Sequence, residues 1–214
     1  MTHLLHTCIV LDRSGSMEDC RTDAIGAVNS FLRQTREDRA LESRISLIIF
    51  DSQSIDVIRD RVPATACKDL APDEFEPRGS TPLLDAVGHG VAHLDKAGDK
   101  TERRVLAIMT DGLENASREY TRDTIKALLD RKQKEDGWLI VYLGAGHDAW
   151  AQAGALGLSA GNVASYDKVH LSASMGSLRK RAVRYAAAPS AHVDALQGGF
   201  TDDERADMTG PKKS

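Results

Sequence analysis

The chain has 214 residues, of which 41% are hydrophobic and 28% are charged, so it is long enough for one domain with a full core and is not compositionally disordered. Its formal charge of -4 gives no net attraction to nucleic acid or to an anionic membrane, and no stretch approaches the roughly 20 apolar residues of a membrane-spanning helix. The three cysteines lack paired spacing and indicate reduced thiols, so we expect a cytoplasmic protein that contacts neither nucleic acid nor a membrane.

The first part of the chain predicts a strand, a helix and a hairpin. Residues 4–11 form a near-continuous apolar run, which is typical of a strand buried on both faces. Apolar residues at helical spacing then predict a helix over 17–36. The stretch RISLIIFDS predicts a second buried strand, and SIDVIRDRV predicts its antiparallel neighbour after a short turn.

The middle of the chain predicts a helix, a strand and another helix. A long polar loop leads to a helix that starts near Thr81, with Pro82 at its first position. The stretch RRVLAIMTDG predicts a buried strand, and Thr121 is expected to cap the helix that follows it. A long loop beside such strands is typical of a functional segment.

The last part predicts one more buried strand, GWLIVYLGAG, and then helices from about 147 and 171 with a short edge strand between them. One domain is therefore predicted over 1–188. Residues 189–214 are predicted to be a C-terminal tail, with a short helix near 201–208 because TDDE forms a capping-box pattern.

Strands that are apolar throughout and alternate with helices indicate an α/β fold. The expected architecture is a Rossmann-like, doubly wound, mainly parallel sheet with helices on both faces and one antiparallel edge strand. In such a sheet ligands bind beside the carboxyl ends of the strands. Asp12, Thr81 and Asp111 lie at or near those ends, so we expect the site there.

The stretch LDRSGSMEDC, residues 11–20, places an acid, two serines and a glycine in one turn behind the first strand. A nucleophilic serine, a phosphate loop and a metal site all use such groups. Neither Ser14 nor Ser16 lies in the G-x-S-x-G frame of a nucleophile elbow, and no histidine is marked out as a base. The turn has one glycine and no lysine, and the carboxylate of Asp12 would repel a phosphate.

A metal site uses every polar residue of this turn, because Mg²⁺ prefers oxygen ligands and keeps waters that carboxylates can hold in place. Gly15 allows the turn to fold tightly between the two serines. One loop cannot complete an octahedron, so later loops must contribute. RGSTPLLDAV offers Thr81 and IMTDGLENAS offers Asp111.

The combination of D-x-S-x-S, a distant Thr and T-D-G resembles the metal-ion-dependent adhesion site (MIDAS) of von Willebrand factor A (vWA) domains. VLDRSGSM, AIGAVNSFL, ISLIIFDSQ, PRGSTPLLDAVG, IMTDGLENASREYT and VYLGAG, between residue 4 and about 146, look like the stand-alone bacterial and phage members. The resemblance implies a sheet in the order 3-2-1-4-5-6.

The resemblance also implies roles for individual residues. Ser14, Ser16 and Thr81 are expected to supply hydroxyl ligands to Mg²⁺, with Mn²⁺ or Ca²⁺ as alternatives, and Asp12 and Asp111 to bind the metal directly or through water. An Asp or Glu of a protein partner is expected to take the sixth position. A shell rich in neutral hydroxyls leaves the cation able to gain from that carboxylate.

The function that follows is a divalent-metal-dependent protein-binding module that is not an enzyme. Arg13 and Arg78 flank two of the metal loops and are expected to favour an acidic partner by charge. The resemblance raises AAA+ ATPases, chelatase-like assemblies and stress or defence systems as partners. Two alternatives stay open: a metal-assisted hydrolase of a phosphoester, and a degenerate structural domain that binds no metal.

Overall fold

The computed structural model describes residues 4–96, 102–146, 149–167, 170–192 and 198–209. Its centre is a six-stranded sheet in the order β3-β2-β1-β4-β5-β6. The strands are β1 (Leu5–Asp12), β2 (Ser43–Phe50), β3 (Ile55–Pro63), β4 (Arg103–Thr110), β5 (Leu139–Ala145) and β6 (Val163–Tyr166). β2 and β3 pair antiparallel, and the other neighbouring strands of the sheet pair parallel. The predicted fold class and strand order are therefore confirmed.

Helices cover both faces of the sheet. Those of the described ranges are α1 (Arg21–Glu37), α2 (Leu83–Asp95), α3 (Arg122–Lys134), α4 (Ala149–Ala155), α5 (Leu171–Ala187) and α6 (Asp202–Thr209). α1 and α5 pack on one face, and α2, α3 and α4 pack on the other. None of the helices in the described part of the chain has the length and apolar character needed to cross a membrane.

β1 lies in the middle of the sheet, between β2 and β4. Ile9 and Leu11 point into the core shared with α1 and α5, whereas Cys8 and Val10 point into the core shared with α2. Successive side chains of a strand face opposite sides, so a strand covered on both sides is largely apolar, and in β1 only the buried His6 and Thr7 interrupt this pattern before Asp12. This is why the first strand reads as a continuous apolar run, and why the polar residue that ends it is conspicuous.

The helix boundaries differ from the predictions at two loops that matter for function. α1 begins at Arg21 rather than near Met17, because Gly15–Cys20 forms a 3₁₀ helix in which Met17 and Cys20 are buried. Pro82 precedes α2 as its N-cap residue instead of occupying the first helical position. Thr121 caps α3 as predicted, and its hydroxyl accepts a hydrogen bond from the Thr124 backbone N–H.

The segment that follows α5 packs against the domain in its described part. Phe200, Glu204 and Met208 are buried, and the Glu204 carboxylate accepts two hydrogen bonds from the Arg184 guanidinium at 2.6 and 2.9 Å. The Met208 carbonyl accepts a hydrogen bond from the Asp167 backbone N–H just after β6. The predicted tail therefore contributes α6 and part of the core beside β6.

Close packing of α2 on the sheet predicts opposite effects for two glycine-to-alanine substitutions. A Cβ at Gly90 would lie 2.7 Å from Val10 Cγ2, so we expect Gly90→Ala to lower the free energy of unfolding by about 1–3 kcal/mol. A Cβ at Gly26, on the exposed side of α1, meets nothing within 4 Å, and Gly26→Ala should raise it by about 0.5–1 kcal/mol. Urea unfolding measures the free energy of unfolding of both variants. Equal changes in the two variants would contradict the close packing of α2 on β1.

Candidate metal centre

The candidate site lies at the carboxyl ends of β1 and β4, where the strand order reverses direction. β1 is followed in the chain by β2 on one side of it, while β4 lies on its other side. The parallel register pairs Leu11 with Met109, so Asp12 and Thr110 end up side by side. The Thr110 hydroxyl donates a 2.6 Å hydrogen bond to Asp12 Oδ2. This crevice is where ligands bind in open α/β sheets.

Asp12 places a buried carboxylate at this point. Its side chain is fully buried, and Oδ1 accepts a 2.7 Å hydrogen bond from the Ser14 backbone N–H. Burial raises the pKa of the Asp12 carboxyl to about 6, although the hydrogen bonds from Thr110 and Ser14 act in the opposite direction. Both donors are neutral, and no cationic side chain of the described ranges forms an ion pair with Asp12.

Two serine hydroxyls connect Asp12 to the carboxylate at the end of β4. Ser14 Oγ lies 3.1 Å from Ser16 Oγ, and Ser16 Oγ donates a 2.6 Å hydrogen bond to Asp111 Oδ1. Ser14 has an extended backbone and directly precedes the 3₁₀ helix Gly15–Cys20. The chain therefore changes direction at this residue. The predicted metal-loop residues are thus brought together with Asp111, which is 95 residues from Ser16 in the chain.

Gly112 marks the point on which the oxygen atoms converge. A Cβ placed on Gly112 would lie 2.8 Å from Thr81 Oγ1, 3.6 Å from Ser16 Oγ and 3.7 Å from Asp12 Oδ2. Glycine therefore leaves open the space between three loops that come from distant parts of the sequence. Ser14 and Asp111, the other two predicted ligand residues, join this group through their contacts with Ser16.

The donor set fits a hard divalent cation. Three hydroxyls and two carboxylates offer oxygen only, which suits Mg²⁺, Mn²⁺ or Ca²⁺ better than a soft metal. Within the described residues, no three histidine, cysteine, aspartate or glutamate side chains form a cluster that could hold a metal ion. A cation at this edge would therefore depend on the hydroxyls, and the unpaired buried charge of Asp12 would gain from it.

Solved structures with the same architecture were found by structural comparison. A von Willebrand factor type A protein from Catenulispora acidiphila is 15% identical with a TM-score of 0.61, over 85% of this chain and 43% of that one. Proximal thread matrix protein 1 from the mussel byssus, with a zinc-occupied MIDAS motif, is 14% identical with a TM-score of 0.61, over 85% and 48%. This chain thus spans less than half the length of either.

A third similar structure is the manganese-loaded TRAP protein of Plasmodium vivax, which is 13% identical with a TM-score of 0.56, over 80% of this chain and 71% of that one. The chain has the vWA fold. In sequence, no family model and no curated protein matches it.

In this vWA fold, two residues that the sequence motifs do not mark hold Thr81 and the start of α2. The Thr81 backbone N–H donates to Asn115 Oδ1 at 2.9 Å, and the Asn115 backbone N–H donates to the Thr81 carbonyl at 3.2 Å. The Glu114 carboxylate accepts hydrogen bonds from the backbone N–H groups of Leu84, Ala116 and Ser117. Their proximity to Asp111 in the chain is the one signal that the sequence offers for them, and ordinary solvent exposure explains polar residues there equally well.

Asp85 fixes the same loop from the other side. Its carboxylate is buried and accepts hydrogen bonds from three consecutive backbone N–H groups, those of Arg118, Glu119 and Tyr120. The loop between β4 and α3 is therefore tied to the amino end of α2 at both of its ends. Thr81 and Asp111 keep their relative positions because of these contacts.

Arg13 and Arg78, the two predicted partner-binding residues, meet at Asp51. Arg13 is 6% exposed, and its guanidinium donates to Asp51 and Asp56, each at 2.8 Å. Arg78 donates to the same Asp51 oxygen at 3.0 Å, and its side chain is 42% exposed. Direct contact with a partner requires exposure, which Arg78 has and Arg13 lacks.

This arrangement also joins two metal loops through their backbones. The Arg78 N–H donates to the Arg13 carbonyl at 2.9 Å, and the Gly15 N–H donates to the Gly79 carbonyl at 3.1 Å. Asp51 thus anchors the loop that carries Ser14 and the loop that leads to Thr81. Nothing in the sequence indicates this role, because Asp51 has the pattern of an ordinary turn residue.

The Asp51 anchor predicts a large stability difference between two aspartate-to-alanine variants. Asp51→Ala leaves the buried Arg13 guanidinium with only the partly exposed Asp56 as a charged partner, so we expect a loss of about 3 kcal/mol in the free energy of unfolding. Asp130, in an exposed i,i+4 pair with Lys134, provides the control, and Asp130→Ala should cost less than about 1 kcal/mol. Chemical denaturation compares them, and an Asp51→Ala cost as small as the control would refute the anchor.

Proposed function

We propose that this protein is a divalent-metal-dependent protein-binding module. Ser14, Ser16 and Thr81 would hold the cation by their hydroxyls, together with the carboxylates of Asp12 and Asp111. The observation that carries the proposal is the convergence of these oxygen atoms on the open space beside Gly112. When bound, the cation supplies an electropositive point that accepts a carboxylate from outside the chain.

The charge of the site supports a binding role. Asp12 is buried without an ion pair among the described residues, so a cation offsets a cost that the fold otherwise bears. Two carboxylates just balance a divalent charge, while the hydroxyl ligands add none. The occupied site therefore carries no excess negative charge that would repel an Asp or Glu of a partner, and that carboxylate can coordinate the cation.

Two structural neighbours support a divalent metal at this place, since one contains a zinc-occupied MIDAS motif and another is manganese-loaded. We propose Mg²⁺ as the physiological ion because it prefers oxygen ligands and tolerates retained waters. The expected partner classes, AAA+ ATPases, chelatase-like assemblies and stress or defence components, stay predictions. The cytoplasmic location stays a prediction as well.

We propose further that the module has no catalytic activity of its own. A hydrolase needs an accessible nucleophile or a base that activates water. His6 and His93 both lie within hydrogen-bonding distance of Ser46 Oγ, but Ser46 and His6 are fully buried. That serine lies within the sheet, where a substrate has no access to it.

Metal binding should raise the melting temperature of the wild type. At a metal concentration 100 times Kd we expect a rise of about 5–10 °C relative to EDTA. Asp12→Asn should abolish the rise while leaving the metal-free protein at least as stable, because the variant removes the unpaired buried charge. Differential scanning calorimetry with Mg²⁺, Mn²⁺ and Ca²⁺ measures both effects.

Thr81→Val removes a hydroxyl at constant shape and should reduce the metal-induced rise. Thr35→Val is the matched control, because the Thr35 hydroxyl is buried in α1 and bonds the Phe31 carbonyl; its metal response should equal that of the wild type. If none of the three ions changes the melting temperature of the wild type, the result would favour a degenerate domain that binds no metal. If the wild type hydrolyses p-nitrophenyl phosphate and Asp12→Asn abolishes this activity, the result would favour the metal-assisted hydrolase.

Gly112→Ala should block the metal without removing any ligand. Its Cβ would intrude to 2.8 Å from Thr81 Oγ1, so we expect Mn²⁺ affinity to fall at least about tenfold. In Gly15→Ala, also within the metal loops, the Cβ meets the Gly79 carbonyl at 3.4 Å, which is ordinary contact, and affinity should be retained. Isothermal titration with Mn²⁺ distinguishes the two, and unchanged affinity in Gly112→Ala would place the metal elsewhere.

A further inference from the structure

An apolar groove adjoins the proposed metal centre. We call it the Leu113 groove; it has a volume of about 400 Å³, and its lining includes Leu83, Leu84, Leu113, Arg122, Ala155 and Leu156. Leu113 directly follows Gly112, and Leu83 follows Thr81 by two residues. The groove therefore lies beside the proposed metal centre, within reach of a segment that binds there.

The groove has a buried floor and an exposed rim. Leu83, Leu84 and Leu156 are between 2 and 6% exposed, whereas Leu113 is 56% exposed. A single exposed leucine needs no explanation. Leu113, however, stands beside a concave apolar surface at the edge of a charged site, which is the composition of an interface anchor with its pocket.

The walls of the groove are held in place before any partner arrives. The Leu84 backbone N–H donates to Glu114 Oε2 at 2.9 Å, which ties the start of α2 to the loop that carries Leu113. α4 forms the opposite wall, and its Gln152 accepts a 3.0 Å hydrogen bond from the Tyr142 hydroxyl of β5. Pre-formed pockets lose little entropy on binding, so the groove is suited to recognise one side chain.

The charges around the groove favour an acidic segment. Glu114 is engaged with three backbone N–H groups and the Ser117 hydroxyl. Arg122, exposed at the first turn of α3, forms no ion pair with any residue of the described ranges. The groove thus presents an unengaged positive charge beside an apolar floor.

A second groove, of about 750 Å³, lies on the other side of Thr81 and is a weaker candidate for the same segment. Its lining includes Asp51, Asp85 and Glu119 along with several serines. Arg118 and His89 also line it, and it offers mainly polar groups instead of an apolar floor. It therefore gives a large aliphatic side chain little apolar contact.

We propose that the Leu113 groove is the specificity pocket of the metal-dependent interface. It takes a large aliphatic side chain of the partner, close in sequence to the Asp or Glu that reaches the metal, and Arg122 selects a second acidic side chain. Leu113 is two residues from Asp111 in the chain, and an extended partner segment advances about 3.3 Å per residue, so the aliphatic residue lies a few residues from the acid. This inference rests on the proposed function.

A displayed library of short peptides, with a fixed central Asp and random flanks, tests the proposal. The library is bound to the full chain in Mn²⁺ and eluted with EDTA. Peptides eluted from the wild type should be enriched in Leu, Ile, Met or Phe near the central Asp. On Leu113→Ser this enrichment should disappear, while EDTA-dependent retention of acidic peptides persists.

Affinities of one selected peptide give the quantitative readout. Leu113→Ser should weaken binding by about tenfold or more, and its Mn²⁺-induced rise in melting temperature should match that of the wild type, which shows that fold and metal site are intact. Val57→Ser is the control, because Val57 is 48% exposed on the edge strand β3 and should leave affinity unchanged. Arg122→Glu should weaken only peptides that carry a second acid.

The possible failures are distinguishable. Acidic peptides eluted from the wild type without an aliphatic neighbour, or an enrichment that survives Leu113→Ser, overturn this inference and leave the proposed function standing. If Mn²⁺ raises the melting temperature of the wild type but EDTA elutes no peptide from it, both this inference and the proposed function are overturned. A wild type that dimerises in sedimentation while Leu113→Ser stays monomeric assigns the groove to a second copy and likewise overturns the inference.

Discussion

The burial of one carboxylate in the middle of the sheet edge is the constraint on which the site depends. Asp12 ends the central strand, and the parallel register of β1 with β4 sets it against Thr110. Burying a charge is costly unless an opposite charge offsets it, and the described residues provide Asp12 with neutral donors alone. In the proposed function a cation from solution supplies the opposite charge, and the oxygen atoms of three loops surround the place that it would take.

The loops keep their arrangement through three acidic side chains that are not proposed ligands, of which Asp51 and Asp85 are buried. Asp51 holds Arg13 and Arg78 behind the first two loops, while Asp85 and Glu114 organise the third by accepting backbone hydrogen bonds. Each of these carboxylates satisfies donors that would otherwise be unpaired in a loop. The site oxygens are therefore positioned by a rigid frame, which limits the rearrangement needed when a cation binds.

The same frame shapes the surface beside the metal. Glu114 joins the start of α2 to the loop of Leu113, so the contact that positions Thr81 and Asp111 also builds one side of the apolar groove. A bound cation attracts the carboxylate of any Asp or Glu, whichever residues flank that Asp or Glu in the partner. In the proposed interface, selection among acidic partners comes from neighbouring contacts, for which the Leu113 groove and Arg122 are the candidates.

The sequence by itself determined the fold class, the strand order implied by the family resemblance, and five candidate ligand residues in three loops, because the periods of buried strands and helices and the spacing of D-x-S-x-S are local properties. Only the tertiary structure decided that Arg13 is turned inward to Asp51, that Asn115 and Asp85 hold the loops, and that Leu113 borders a groove. These depend on contacts between residues far apart in the chain, such as Arg13 with Asp51 and Asp85 with Tyr120. The pattern in LDRSGSMEDC identifies three of the oxygen-bearing side chains. The packing of the other two loops brings them together with Thr81 and Asp111 beside Gly112.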